Sequence, residues 1–256
     1  MNLAWRVVGL ALLVALAGCG AVSPGDTDAP ATTAEATGTD VVTAGQAIDA
    51  FDLAESHRDA LANDSFTVTS SITVQYANGT AALRQFGHTR LDPDGDGVLT
   101  RQTATGSDPT QFGAPFDGVV ERWANESGGV YRLTYENGTT ELDESRTARV
   151  PRVEQATRWE DVAGLLSALD ARHVDGEDGD TVVATGSDVQ VTYGDPSEVT
   201  VTARLSDREH LDSYTVSYRT MRDGTPVQVT RTVRFTNVGE TTVEQPFWVE
   251  DAQNSS

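Results

Sequence analysis

Between positions 66 and 76, Phe66, Val68, Ser70, Ile72, Val74 and Tyr76 fall on one phase of a two-residue period, and Thr67, Thr69, Ser71, Thr73 and Gln75 on the other. Such alternation marks a β-strand with one face on a core and the other toward solvent. Asn78-Gly79 follows, a pair that two-residue hairpin turns favour, so a second strand is predicted over 81–91. Further strands are predicted over 97–104, 119–125 and 130–136, with turns at Ser127-Gly128-Gly129 and Asn137-Gly138. A later block predicts strands over 182–185, 189–193, 199–205, 214–222, 227–236 and 241–249, with a hairpin at Asp223-Gly224 and a tight acidic turn over 175–180. Two stretches change period. Ile48, Phe51, Ala54, Arg58 and Leu61 recur at helical spacing behind a Thr43/Gln46 capping box. Trp159, Val162, Ala163, Leu165, Leu166 and Leu169 do so behind Thr157/Glu160. The pattern predicts a single α+β domain over 44–250: an antiparallel meander opened by one helix and interrupted by another.

The first residues follow different rules. Arg6 precedes the apolar run from Val7 to Ala17, and Leu16-Ala17-Gly18-Cys19 closes it. A positive start, a short apolar core and small residues before a cut site are the grammar of a secretory signal. The run is shorter than the about 20 residues that a spanning helix needs. Ending on Cys19, the only cysteine, it resembles the lipobox of prokaryotic lipoproteins. That resemblance implies a signal peptide over 1–18 and a diacylglyceryl group on the Cys19 sulfur. It places the protein on the outer face of the cytoplasmic membrane. Residues 20–43 hold almost no large apolar group, so 19–43 is expected to be a lipidated, flexible stalk, and 251–256 a disordered tail.

Charge narrows the medium and the partners. The 256 residues carry 39 acidic against 18 basic side chains, a formal charge of -21, and no lysine. Self-repulsion on that scale is relieved when concentrated salt screens it to a few ångströms. The composition resembles that of haloarchaeal secreted lipoproteins with an acidic stalk and a β-rich body. A nucleic-acid partner is excluded, since no basic stripe exists to displace phosphate counterions. Asn63, Asn78, Asn125 and Asn137 head Asn-x-Ser/Thr sequons, as does Asn254 near the end, and are candidate glycosylation sites.

Candidate chemistry is sparse. His57, His88, His173 and His210 are isolated in sequence, and no second cysteine exists to complete a zinc site. No Gly-x-Ser-x-Gly elbow or phosphate loop occurs. A hydrolase would need a histidine within reach of a serine and a carboxylate in one cleft. Asp92, Asp94 and Asp96 occupy positions 1, 3 and 5 of a calcium-loop pattern, but position 12 is Thr103, so the ordinary reading is a solvated turn. The expectation is a non-enzymatic protein without a cofactor. Trp123, Trp159, Phe235, Phe247 and Trp248 are read as core aromatics.

The order of elements (helix, hairpins, central helix, more hairpins) resembles the lipoprotein-carrier fold of the LolA and LppX/LprG type. There a curved, antiparallel half-barrel sheet packs on a few helices around an apolar cavity. The resemblance implies that Trp159, Val162, Leu165, Leu166, Tyr214, Val216 and Tyr218 face such a cavity. It also implies a lipid or other hydrophobic ligand. The alternative from the residues alone is a surface adhesion or assembly module that binds a protein or glycan through its sheet. A filled core with an outer aromatic patch would favour that alternative.

Overall fold

The computed structural model describes residues 45–92, 97–114, 118–125, 128–145, 153–174, 180–187, 189–207 and 210–253. The expected signal and stalk, with Cys19, and Asp94, Asp96 and Asn254 lie outside them. The described residues form an open, wholly antiparallel sheet of twelve strands carrying helices, the α+β class that the periodicity predicts.

The strands are β1 (Gln46–Ala47), β2 (Phe66–Tyr76), β3 (Ala81–Leu91), β4 (Val98–Thr105), β5 (Gly118–Asn125), β6 (Gly128–Tyr135), β7 (Thr140–Ser145), β8 (Asp170–Val174), β9 (Thr181–Gly186), β10 (Ser197–Leu205), β11 (Leu211–Arg222) and β12 (Thr225–Thr236). Their spatial order is β1-β8-β9-β10-β11-β12-β2-β3-β4-β5-β6-β7. The sheet is thus two meanders joined at its centre, where β2 pairs β12 from Thr67↔Thr236 to Tyr76↔Val227.

This topology dictates where the helices lie. The first described strand, β1, lies at the sheet edge beside β8; the chain must then reach the sheet centre at β2, and helix α1 (Ala50–Leu61) makes that crossing. Between β7, one edge of the sheet, and β8, which lies next to the other edge, the chain forms α2 (Val153–Ala156) and α3 (Trp159–Ser167). Ala54 and Leu61 of α1 and Val162 and Leu166 of α3 share one core with Phe66, Ile72, Val74, Val216, Val229 and Val233. The face of the sheet that bears these helices is its inner face.

Local chemistry sets the helix ends differently from the expected capping boxes. Asp49 caps α1, its Oδ1 accepting from the Phe51 and Asp52 amides at 2.9 and 3.2 Å. The segment around Gln46 is therefore free to pair with β8 as a strand. The buried face of α1 is Ala50, Ala54, His57 and Leu61, while Phe51 is 59% exposed. At α3 the N-cap is Arg158, in the left-handed region with φ 59, and Thr157 is buried instead of capping.

A small second core lies on the outer face. Val98 belongs to the inner core and its neighbour Leu99 packs with Trp123, Val130, Trp248, Val249 and Ala252, because successive strand residues point to opposite faces. Helix α4 (Phe247–Gln253) supplies the last three of these. This corrects the strand expected over 241–249, and it carries the fold to Gln253, past the expected boundary at 250. Trp248 is core as expected, whereas Phe247 is 74% exposed beside Arg132, 5.9 Å from its ring.

Strand β7 escapes sequence reading because Thr-Glu-Leu-Asp-Glu-Ser has little strand propensity. It is an edge strand, and charge there discourages pairing with another chain.

Candidate functional site

Strand β12 alternates like a buried strand, but one inward position breaks the rule. Val227, Val229, Val233 and Phe235 face the core, and Arg231 stands in their phase with its side chain 4% exposed. Its cross-strand neighbours are Val216 on β11 and Ile72 on β2, so the guanidinium rises from the middle of the inner face. Taking such a group from water is costly unless it is paired.

Helix α3 supplies the partner. Asp161, in its first turn, accepts from Arg231 Nη2 at 2.8 Å. The same Oδ2 accepts from Arg158 Nε at 2.8 Å and is also approached by Arg158 Nη2. Arg231 further lies 5.3 Å from the centroid of the buried Tyr214 ring, a cation–π contact. Burial alone would raise Asp161, yet the charges of Arg158 and Arg231 and their hydrogen bonds hold it below the ordinary carboxylate range. Burial also pulls the Arg231 guanidinium below its ordinary value. Two guanidinium groups thus share one carboxylate, leaving a positive charge in excess, and Arg231 Nε is buried without a hydrogen-bond partner.

This triad lines a cleft of about 1290 Å3 between α3, the segment 189–196 and the inner face of β11–β12. Leu165, Val189, Val191 and Val216 give it apolar lining, and Arg158, Asp161 and Arg231 a buried charged cluster. A strand was expected over 189–193; instead this segment is a wall of the cleft. The sheet has no place for it, because β9 is already paired on both sides, with β8 and β10. The wall is pinned where Tyr193 donates to the Phe112 carbonyl at 2.9 Å and Thr220 donates to the Asp195 carbonyl at 2.8 Å. Gly194 has φ +68, and a Cβ there would stand 2.8 Å from Thr220 Oγ1, so the wall follows a path that excludes side chains at this point.

Of the expected cavity residues, Leu165 and Val216 line this cleft. Val162 and Leu166 are buried in the main core, and Tyr214 and Tyr218 are buried on β11. Trp159 is half-buried, with the Arg58 guanidinium 5.4 Å from its ring. The space is therefore amphipathic where a purely apolar hollow was expected. Arg231 was missed in sequence, although its place between Val229 and Val233 on an otherwise apolar phase was the signal that could have found it.

A second polar cluster ties the helices to the sheet. His57, fully buried, accepts from the Leu211 amide through Nδ1 at 3.1 Å, and its Nε2 lies 2.8 Å from the Thr157 carbonyl. A carbonyl only accepts, so Nε2 carries the proton and the ring is neutral. Burial is the main cause that pulls His57 down to about 4, with His210 adding to it and the bond to Thr157 opposing it. His210 lies beside Ser206 (Nδ1 to Oγ 2.8 Å) and Asp212 (Nε2 to Oδ1 3.6 Å). This trio belongs to the β10–β11 turn, where Ser206 Oγ also accepts the His210 amide at 3.3 Å, and it does not line the cleft. Its contacts describe a turn clamp.

The remaining candidates are peripheral. Asn63, Asn78 and Asn137 are exposed in turns, and Asn125 is half-buried at the end of β5. Asn78 and Asn137 each fold their side-chain oxygen onto the amide two residues on, at 2.9 Å. Asp92 is half-buried after β3, and among the described residues no cluster of three His, Cys, Asp or Glu side chains is placed to hold a metal ion.

Among solved structures, the chain is similar to LprF from Mycobacterium bovis at 11% identity and TM-score 0.42, covering 79% of this chain and 98% of that one. It is similar to the LolA superfamily protein NE2245 from Nitrosomonas europaea at 11% identity and TM-score 0.27, covering 79% and 97%. A putative outer membrane lipoprotein-sorting protein domain from Vibrio parahaemolyticus matches at 10% identity and TM-score 0.26, covering 84% and 98%. At such identities and scores, none of the three bears on ligand, partner or activity. No curated protein matches the chain. A family profile does, over residues 5–252, and the chain belongs to that family, a family of unknown function designated DUF7537.

Proposed function

We propose that this protein is a lipid-anchored, extracytoplasmic, non-catalytic binding protein that holds a lipid or similar hydrophobic molecule between α3 and the sheet. The observation that carries this reading is the cleft itself, about 1290 Å3 on the inner face of β11–β12 beside Leu165 and Val216. A ligand chain there is held by removing apolar surface from water, at about 25 cal/mol per Å2. Such binding needs no reactive side chain. Attachment through Cys19 accords with the leader sequence, and among the described residues no helix is long and apolar enough to cross a membrane.

One preparation tests both parts. The full chain carrying Cys19→Ser is expected to leave the membrane for the soluble fraction when made in a halophilic host. Native mass spectrometry with organic extraction is then expected to find a lipid bound near one per chain. Retention on washed membranes would count against the anchor. A bare protein would count against the cleft as a binding site and favour an interaction module acting through an exposed surface.

A further inference from the structure

We propose that the cleft selects an anionic amphiphile, a molecule with one oxyanionic head group and an apolar chain, and that Arg231 and Arg158 receive the head. This inference rests on the cleft as a binding site and goes further, naming the chemistry of its occupant.

The charge balance within the cleft is the first ground. Arg158 and Arg231 meet a single carboxylate, and all three contacts go to one oxygen, Asp161 Oδ2. The positive charge left over lies on the lining of the cleft, in a chain whose formal charge is -21. The other acids lining the cleft are Glu160 and Asp195, both exposed, where water and salt screen them.

The donors are the second ground. Arg231 is buried, at 4% side-chain exposure, and lines the cleft together with Arg158. Guanidinium groups match the planar, multiple oxygens of phosphate and carboxylate heads.

The layout is the third ground. Leu165 and Val216 line the cleft with Asp161 and Arg231, and Val189 and Val191 line it from the 189–196 wall. A head on the arginines leaves a chain lying along these apolar residues. A free inorganic anion would leave that wall unused, and an uncharged lipid would leave the arginine excess unbalanced.

The test compares three probes on the full chain carrying Cys19→Ser: hexadecyl phosphate, hexadecanol and inorganic phosphate, by equilibrium dialysis in concentrated sodium chloride. Hexadecyl phosphate is expected to bind about tenfold or more tightly than hexadecanol, the scale of a charge-assisted hydrogen bond. Inorganic phosphate is expected to compete only at far higher concentration. Arg158→Gln, which removes one of the two guanidinium groups, is expected to narrow the ratio between the two lipids to about threefold or less. Equal affinity for both lipids in the unsubstituted cleft would overturn the head-group inference and leave the binding reading intact. Phosphate binding as tightly as hexadecyl phosphate would overturn the amphiphile in favour of a free anion. Failure of both lipids to bind would overturn the binding reading together with the inference.

Discussion

Replacing Asp161 by alanine is expected to lower the unfolding free energy by about 2–3 kcal/mol. The reason lies in what remains. Arg231, 4% exposed, would keep its charge at the centre of the inner sheet face with Arg158 nearby and no carboxylate between them. Breaking a fully buried pair costs more than this, but Asp161 is 38% exposed and water partly compensates there. Denaturant melts at neutral pH measure the difference. A double variant, Asp161→Ala with Arg231→Met, is expected to recover much of the loss, because it removes the stranded charge as well as its partner. If Asp161→Ala alone melts like the parent chain, the triad does not bind α3 to the sheet.

Acid is expected to weaken the fold through His57, by about 3 kcal/mol in total. Unfolded, this histidine titrates near 6.5; folded, burial pulls it down to about 4. The folded ring stays neutral because Nε2 donates to the Thr157 carbonyl and Nδ1 accepts from the Leu211 amide. Above pH 6.5 neither state binds a proton at this site, and its full contribution is present. As pH falls from 6.5 toward about 4 the unfolded chain takes up the proton first, and stability drops with it. Below about 4 both states are protonated and the loss levels off. Carboxylates also titrate at the lower end of that window, so the measurement is a difference. His57→Gln, which offers a donor and an acceptor but no titration, is expected to show a shallower decline between pH 7 and pH 5. Parallel curves for the two proteins would remove His57 as the source.

The physical reach of each signal decides how much of this was legible in sequence. Hairpin β2–β3 was readable to the residue, because Asn78-Gly79 forces the turn and the Phe66-to-Tyr76 alternation exposes one phase. The acid-rich edge strand β7 and the five-residue β8 were missed, since neither has enough strand-forming residues to stand out from a loop. Helix α1 was placed well but rotated: Phe51 looked like core and is exposed, while His57 looked polar and is buried. Periodicity alone cannot see that a polar ring will find two backbone partners from Thr157 and Leu211, far along the chain.

The amino-acid sequence by itself determined what depends on neighbours a few residues apart and on composition. That includes the alternating strands, the hairpin turns, the apolar run that precedes Cys19 and the acidic, lysine-free composition. Tertiary structure alone decided the strand order, which brings β2 against β12 across more than half the chain and fills both edges of β9. That pairing denied 189–193 a strand's place and made it the wall of a cleft. It also set Arg231 of β12 beneath Asp161 of α3, though they lie 70 residues apart. A charge meeting of this kind is fixed by where the sheet carries each strand, and no local pattern encodes it.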